Sequence, residues 1–213
     1  MIFRTWKYIC SLAVWVFIRF HIYRGWSWLY RQLFERKYRS WRWWKEVAFL
    51  DIHDVCSMVR KMKYRPDGWR QLFDTFSYPQ AVLHRKEGDC DDIALFTVWA
   101  LNRMNIKTFK GIYDRPMRVD RAEVLTVTWM RADGTPGGHN TTLVHVSDPL
   151  TGEKAYMVID YGDVYKESSI EDHVKSIVHY YAGSDAQLMV WSRMSESLKP
   201  LEVVWHKSDR RRI

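Results

Sequence analysis

Gly88-Asp89-Cys90-Asp91-Asp92-Ile93-Ala94-Leu95-Phe96 is the stretch on which the reading of this chain turns. A polar, glycine-led loop ends in an acid, and an apolar run begins just after a cysteine. Ile93, Ala94, Leu95, Phe96, Val98, Trp99, Ala100, Leu101 and Met104 leave almost no polar face, so the spacing predicts a buried core helix. Asp89 suits the N-cap, and Asp92 three residues on comes close to a capping box. Cys90 is then the first helical residue, where unpaired backbone N–H groups and the helix dipole favour a thiolate. Asp89, Asp91 and Asp92 crowd it with negative charge and oppose that.

Two further residues stand downstream in a pattern that can meet it. His139 lies in Gly137-Gly138-His139-Asn140-Thr141-Thr142-Leu143-Val144-His145-Val146, and Asp160 in Ala155-Tyr156-Met157-Val158-Ile159-Asp160-Tyr161-Gly162-Asp163. Residues 147–153 between them are dense in turn formers, so the two stretches read as a β-hairpin. A turn centred near Leu150 sets His139 opposite a position close to Asp160, or diagonal to it; diagonal neighbours lie roughly 7 Å apart. His145 is the rival histidine, on the same side of the strand. It sits nearer the turn and away from Asp160, which favours His139. His84, His173 and His179 have no partner pattern, and the last two fall on an expected surface helix. Cys56 belongs to an apolar helical stripe and reads as core.

The run at Gly88 resembles the nucleophile motif of the transglutaminase-like superfamily, in particular its bacterial cysteine peptidases. There, Gly-Asp-Cys-acid-Asp precedes a core helix, and a histidine and then an aspartate follow on consecutive antiparallel strands. The resemblance covers residues 50–165 and is most specific at 88–101. It implies an α+β fold with a papain-like core, in which a buried helix carrying the nucleophile lies on a mainly antiparallel sheet. It implies Cys90 as nucleophile, His139 as base and Asp160 as the group that orients it. The implied activity is that of a thiol-dependent amide hydrolase, a cysteine peptidase acting on a protein or peptide through a thioester. A protein-glutamine acyltransferase stays open, as does a catalytically silent structural or assembly protein of a phage particle or membrane scaffold. The oxyanion would meet the backbone N–H of Cys90 and an upstream side chain, for which Trp69 and Gln80 both fit. Some related peptidases need calcium, and Asp89 and Asp91 match the acids that hold it. Two carboxylates fall short of the six to eight oxygens calcium takes, and capping with loop solvation is the plainer reading of Asp89 and Asp92. The sequence itself requires no cofactor. The resemblance points to a bacterial or bacteriophage source.

Composition divides the chain. Of 33 Lys and Arg and 25 Asp and Glu, residues 1–46 hold ten of the former and only Glu35 and Glu46 of the latter, which leaves 23 of each sign in residues 47–213. The arm of residues 1–46 thus carries the whole net charge of +8, together with seven of the twelve tryptophans. Residues 47–213 read as the catalytic domain. Residues 8–18 are uncharged and mostly apolar but short of the roughly 20 residues a spanning helix needs. No small-residue cleavage site follows them, so no cleavable signal peptide is evident. Trp, Tyr, Arg and Lys together suit a membrane surface or a protein assembly. A helical extension packed on its own domain is the plain alternative, and nucleic acid is disfavoured. Three cysteines without a CxxC pair argue against a disulfide framework or a cysteine-based zinc site and suit a reducing compartment such as a cytoplasm, although a periplasmic enzyme also fits; the arm adds peripheral-membrane or particle association to that expectation.

Periodicity supplies the remaining elements. Helices are expected near 8–23, 27–46, 51–62, 68–76 and 79–84, before the core helix. Strands are expected near 107–113, 123–131, 140–146 and 154–161, with a glycine-rich loop at 132–138 leading to His139. A helix capped by Ser168 or Ser169 runs to about 181 with Tyr181 on its inward stripe, and strands near 187–192 and 201–206 precede a solvated tail.

Overall fold

The computed structural model describes residues 23–39, 49–66, 75–110, 113–166 and 168–206. The chain enters through α1 (Tyr23–Phe34) and α2 (Arg36–Arg39), then α3 (Ile52–Arg60), β1 (Lys63–Tyr64), α4 (Pro79–Arg85), β2 (Glu87–Gly88) and α5 (Cys90–Asn102). The strands β3 (Thr108–Phe109), β4 (Met117–Met130), β5 (Pro136–Ser147), β6 (Lys154–Asp160) and β7 (Asp163–Lys166) follow. The helix α6 (Ile170–Ala182) and the strands β8 (Gln187–Met194) and β9 (Pro200–Trp205) end the described chain. The large sheet has the order β7-β6-β5-β4-β8-β9 with β3 beside β4, and its pairings are antiparallel, so the fold is α+β. A short parallel ladder joins β1 to β2. Among the described residues no helix is long and apolar enough to cross a membrane.

Both sides of the sheet are covered, which explains why β4 is buried without interruption from Ala122 to Met130. Alternate residues go to opposite cores. Val124, Val144, Met157 and Ile159 meet α3 and α5, while Leu125, Val127, Trp129, Leu143 and Val158 meet α6. The helix α5 is buried from Asp91 to Leu101. Phe96, Trp99 and Phe49 meet on it with ring centroids 5.7 to 6.0 Å apart, a geometry that adds to simple area burial. Thr142 Oγ1 donates to the Ala94 carbonyl at 3.1 Å and ties β5 to this helix.

The basic arm, in its described part, is bound to the chain leading to α4. Ser27 Oγ accepts the Phe76 N–H at 3.0 Å, and Arg31 donates to the carbonyls of Phe76 and Ser77. Glu35 is almost fully buried; it accepts the Tyr78 N–H at 2.7 Å and pairs with Arg85 at 2.9 Å. Of the helix expected over 27–46, residues 27–39 form the end of α1 and all of α2, parted at the inward-turned Glu35, and 40–46 lie outside the described residues. Most of the helix expected over 8–23 lies outside the described residues. Of the one expected over 68–76, only Thr75 and Phe76 are described, in irregular chain.

Three other expectations need correction. Pro136, Gly137 and Gly138 belong to β5, not to a loop; the turn is 131–135, closed by the Arg131 N–H to Thr135 bond. Gly137 sits opposite Trp129, whose indole occupies the space a β-carbon would need, 2.3 Å from its position. Of the strand expected over 107–113, the described residues are strand only at Thr108–Phe109, and 111–112 lie outside them. An unexpected strand, β7, follows Asp160 after two residues, because Tyr161 and Gly162 both take positive φ and so form the tight hairpin turn that antiparallel strands favour.

Gly162 has φ +89, and a β-carbon there would stand 2.6 Å from the Cys56 carbonyl oxygen. Gly183 has the same φ with nothing nearby. Gly162→Ala is therefore expected to destabilise the fold by about 2–4 kcal/mol and Gly183→Ala by about 1 kcal/mol; urea unfolding midpoints of the two variants measure the difference.

Candidate active site

The site forms where α5 begins and two paired strands part. Pairing of β5 with β6 ends at Thr142 and Ile159. One more step of that register sets Asp160 opposite Thr141, hence diagonal to His139. The first turns of α5, with Cys90, Ile93, Ala94 and Thr97, lie against Asn140, Thr141, Ile159, Asp160 and Tyr161, with no space for water between them. Cys90 heads the helix because Asp89 caps it, accepting the Asp92 N–H at 3.3 Å.

His139 Nε2 stands 2.8 Å from Asp160 Oδ1, with the two side chains 5% and 11% exposed. An ionised carboxylate only accepts, so the imidazole donates here. Burial disfavours charge on His139, but hydrogen bonds to Asp160 and Cys90 outweigh it, and the imidazole is pushed up to about 9. Cys90 is half-buried. Asn140 Nδ2 lies 4.0 Å from its sulfur, and Asn140 Oδ1 accepts from Thr126 Oγ1 at 2.5 Å. The arrangement joins a nucleophile type, a basic group and a carboxylate in one place.

The three acids beside Cys90 are all buried, and one oxygen of each lies within 4.8 Å of the others. Oxygen donors are what a hard cation such as calcium takes. Asp89, however, is engaged as the helix cap, and Asp92 accepts the Ser77 N–H at 2.6 Å and faces Arg85 at 3.8 Å. Those bonds give Asp89 and Asp92 structural roles, and the three carboxylates alone fall short of a full calcium shell.

Trp69 lies outside the described residues. Gln80 is on α4, which packs against α5, and its Oε1 is buried without a hydrogen-bond partner. His145 is occupied elsewhere: it meets Glu123 at 3.1 Å, and Glu123 also pairs with Arg193 and Arg121. Burial raises the Glu123 carboxyl, yet His145 and the two arginines together hold it below the usual range. His173, expected on a surface helix, lies on the inward side of α6 and is buried. Cys56 is in the core, and burial pushes its thiol up to about 11.

Asn140, Tyr161 and Tyr181 border the site and were not singled out from the sequence. Tyr181 donates to Asp160 Oδ2 at 2.5 Å, and its ring centroid is 4.0 Å from that of His139. Its place on the inward stripe of α6 was readable; the carboxylate it meets was not. Tyr161 would have been flagged by a two-residue turn before β7.

No protein-family model and no curated protein sequence matches the chain. Among solved structures, EGTA-treated LapG of Legionella pneumophila is similar to it, at 16% identity and a TM-score of 0.35. The match covers 66% of this chain and 60% of LapG, less than two thirds of the neighbour's length.

A histidine held at about 9 in the folded chain, against about 6.5 when unfolded, binds its proton more tightly in the native state. Its contribution, on the order of 3 kcal/mol, is fully present below pH 6.5 and is lost as the pH rises through 9. The stability difference between the parent and His139→Gln should therefore be larger at pH 6 than at pH 10, read from urea unfolding at each pH.

Proposed function

We propose that the chain is a thiol-dependent amide hydrolase, a cysteine peptidase that acts on a protein or peptide. The observation that carries the reading is the His139–Asp160 hydrogen bond at 2.8 Å beside a cysteine that opens a buried helix. An imidazole with so high an affinity for its proton is charged at neutral pH, and a cationic neighbour favours the thiolate of Cys90. The first N–H groups of α5 act in the same direction.

In this reading the Cys90 sulfur attacks the amide carbonyl carbon, forming a C–S bond while the carbonyl π electrons move to oxygen. The oxyanion is met by the Cys90 N–H and by a second donor, for which Gln80 is the candidate among the described residues. His139 gives its proton to the leaving amine nitrogen as the C–N bond breaks, leaving a thioester. Neutral His139 then takes a proton from water, which attacks the thioester and releases the acid and Cys90. Asp160 keeps the ring in the orientation both transfers need. Water suffices as acyl acceptor, so hydrolysis is preferred to transfer onto an amine.

The basic arm is assigned, in the same proposal, to an anionic membrane surface. Trp28, Leu33 and Phe34 are exposed, Arg36 and Lys37 lie beside them, and Glu35 is turned inward against Arg85. Co-sedimentation of the full chain with vesicles containing anionic lipid, weakened by salt, is expected. Binding to neither anionic nor neutral vesicles would transfer the arm to a protein assembly.

The decisive assay is iodoacetamide labelling of Cys90 against pH, read by peptide mass spectrometry. Labelling well below the ordinary thiol range near pH 8.5, lost in His139→Ala, is expected. Cys90→Ala should abolish any amide hydrolysis. Ordinary thiol behaviour in both the parent and His139→Ala would leave a silent scaffold as the better reading.

A further inference from the structure

Asp160 is the last residue of β6, next to a two-residue turn, and nothing in β-structure fixes its side chain. Asp160 also borders a recess of about 130 Å³, lined with it by Val158, Tyr165, Ile177, Tyr180 and Tyr181 and not by His139. The carboxylate thus has a second place to turn. Tyr181 borders the recess and also touches His139. Its hydroxyl donates to Oδ2 at 2.5 Å while His139 takes Oδ1, so both oxygens are held. Its ring lies over the imidazole, with centroids 4.0 Å apart, and is stacked in turn on Trp129.

We propose that Tyr181 is the positioning residue of this site: its phenol locks the Asp160 carboxylate in the rotamer that meets His139, and its ring shields that hydrogen bond from water. The proposal rests on the reading of Cys90, His139 and Asp160 as a catalytic set. Burial and the Asp160 charge push the phenol well above its ordinary range, so Tyr181 remains a donor throughout the working pH range. A hydrogen bond to a charged acceptor is among the stronger kinds, and one made in a largely dry place is stronger still. The groups that face the pair from other elements are Cys90 from α5, Tyr161 from the turn, Tyr165 from β7 and His173 from within α6.

The test is Tyr181→Phe in the full chain, which keeps the ring and removes the hydroxyl. The His139 ring is followed by NMR titration, assigned by its loss in His139→Gln. With Asp160 released toward the recess, His139 should titrate about one pH unit lower, and Cys90 alkylation at pH 6 should slow about tenfold. The melting profile by circular dichroism should still show one cooperative fold. Because the hydroxyl acts through the carboxylate, Tyr181→Phe should add no further shift in an Asp160→Asn background. An unchanged His139 titration in Tyr181→Phe overturns the proposal, as does an equal shift with and without Asp160. If Cys90 labels as an ordinary thiol in the parent, the peptidase reading fails, while the His139 titration still decides the role of Tyr181. Should Tyr181→Phe not fold, Asp160→Asn alone serves: the Tyr181 phenol must then ionise at lower pH, and no change overturns the contact.

Discussion

A helix that is apolar on every side is stable only where every side is covered, and α5 imposes that condition on the rest of the chain. Its residues from Asp91 to Leu101 are all buried. The strands β4 and β5 cover one side, α3 and α4 the others. Because the helix must lie on the sheet, its first residue is delivered to the place where β5 and β6 stop pairing. The Thr142–Ala94 hydrogen bond fixes how far along the sheet the helix is set. The position of Cys90 beside His139 follows from that docking, not from any local preference of either residue.

The acids around Cys90 show how the same helix terminus can carry opposing demands. Free backbone N–H groups there attract negative charge, and Asp89 satisfies the Asp92 amide. Asp92 points the other way, to the Ser77 amide and toward Arg85. Arg85 also holds Glu35 of the arm, and Arg31 binds the Phe76 and Ser77 carbonyls. The arm, the segment before α4 and the start of α5 are therefore one connected polar network. Buried charges of this kind contribute less to stability than to a single arrangement, since breaking one partner leaves the other unsatisfied.

On the sheet's other face the logic is geometric. The side chains of His139 and Asp160 project with Leu143 and Val158, toward α6. Tyr181 reaches them from that helix. Trp129 lies over Gly137 and stacks on Tyr181, so the glycines before His139 are structural partners of an aromatic layer. The strained left-handed Tyr161 sets its ring 5.6 Å from the imidazole of His139 and contacts Tyr64.

The sequence by itself determined the α+β order, the burial and capping of α5, the hairpin around Leu150 and the core role of Cys56. These depend on local periodicity, turn chemistry and N-cap preference, which neighbouring residues carry whatever surrounds them. That His139 lies near Asp160, opposite or diagonal to it, was also readable, because register follows from the turn; the structure chose the diagonal. Only the tertiary structure decided that β4 and β5 run on past their expected starts, that Glu35 breaks the arm helix, and that His173 is buried. It alone chose Tyr181 and Asn140 as neighbours of the site. Each of those outcomes depends on residues distant in the chain meeting across a layer, and no local pattern records which partner a side chain will find.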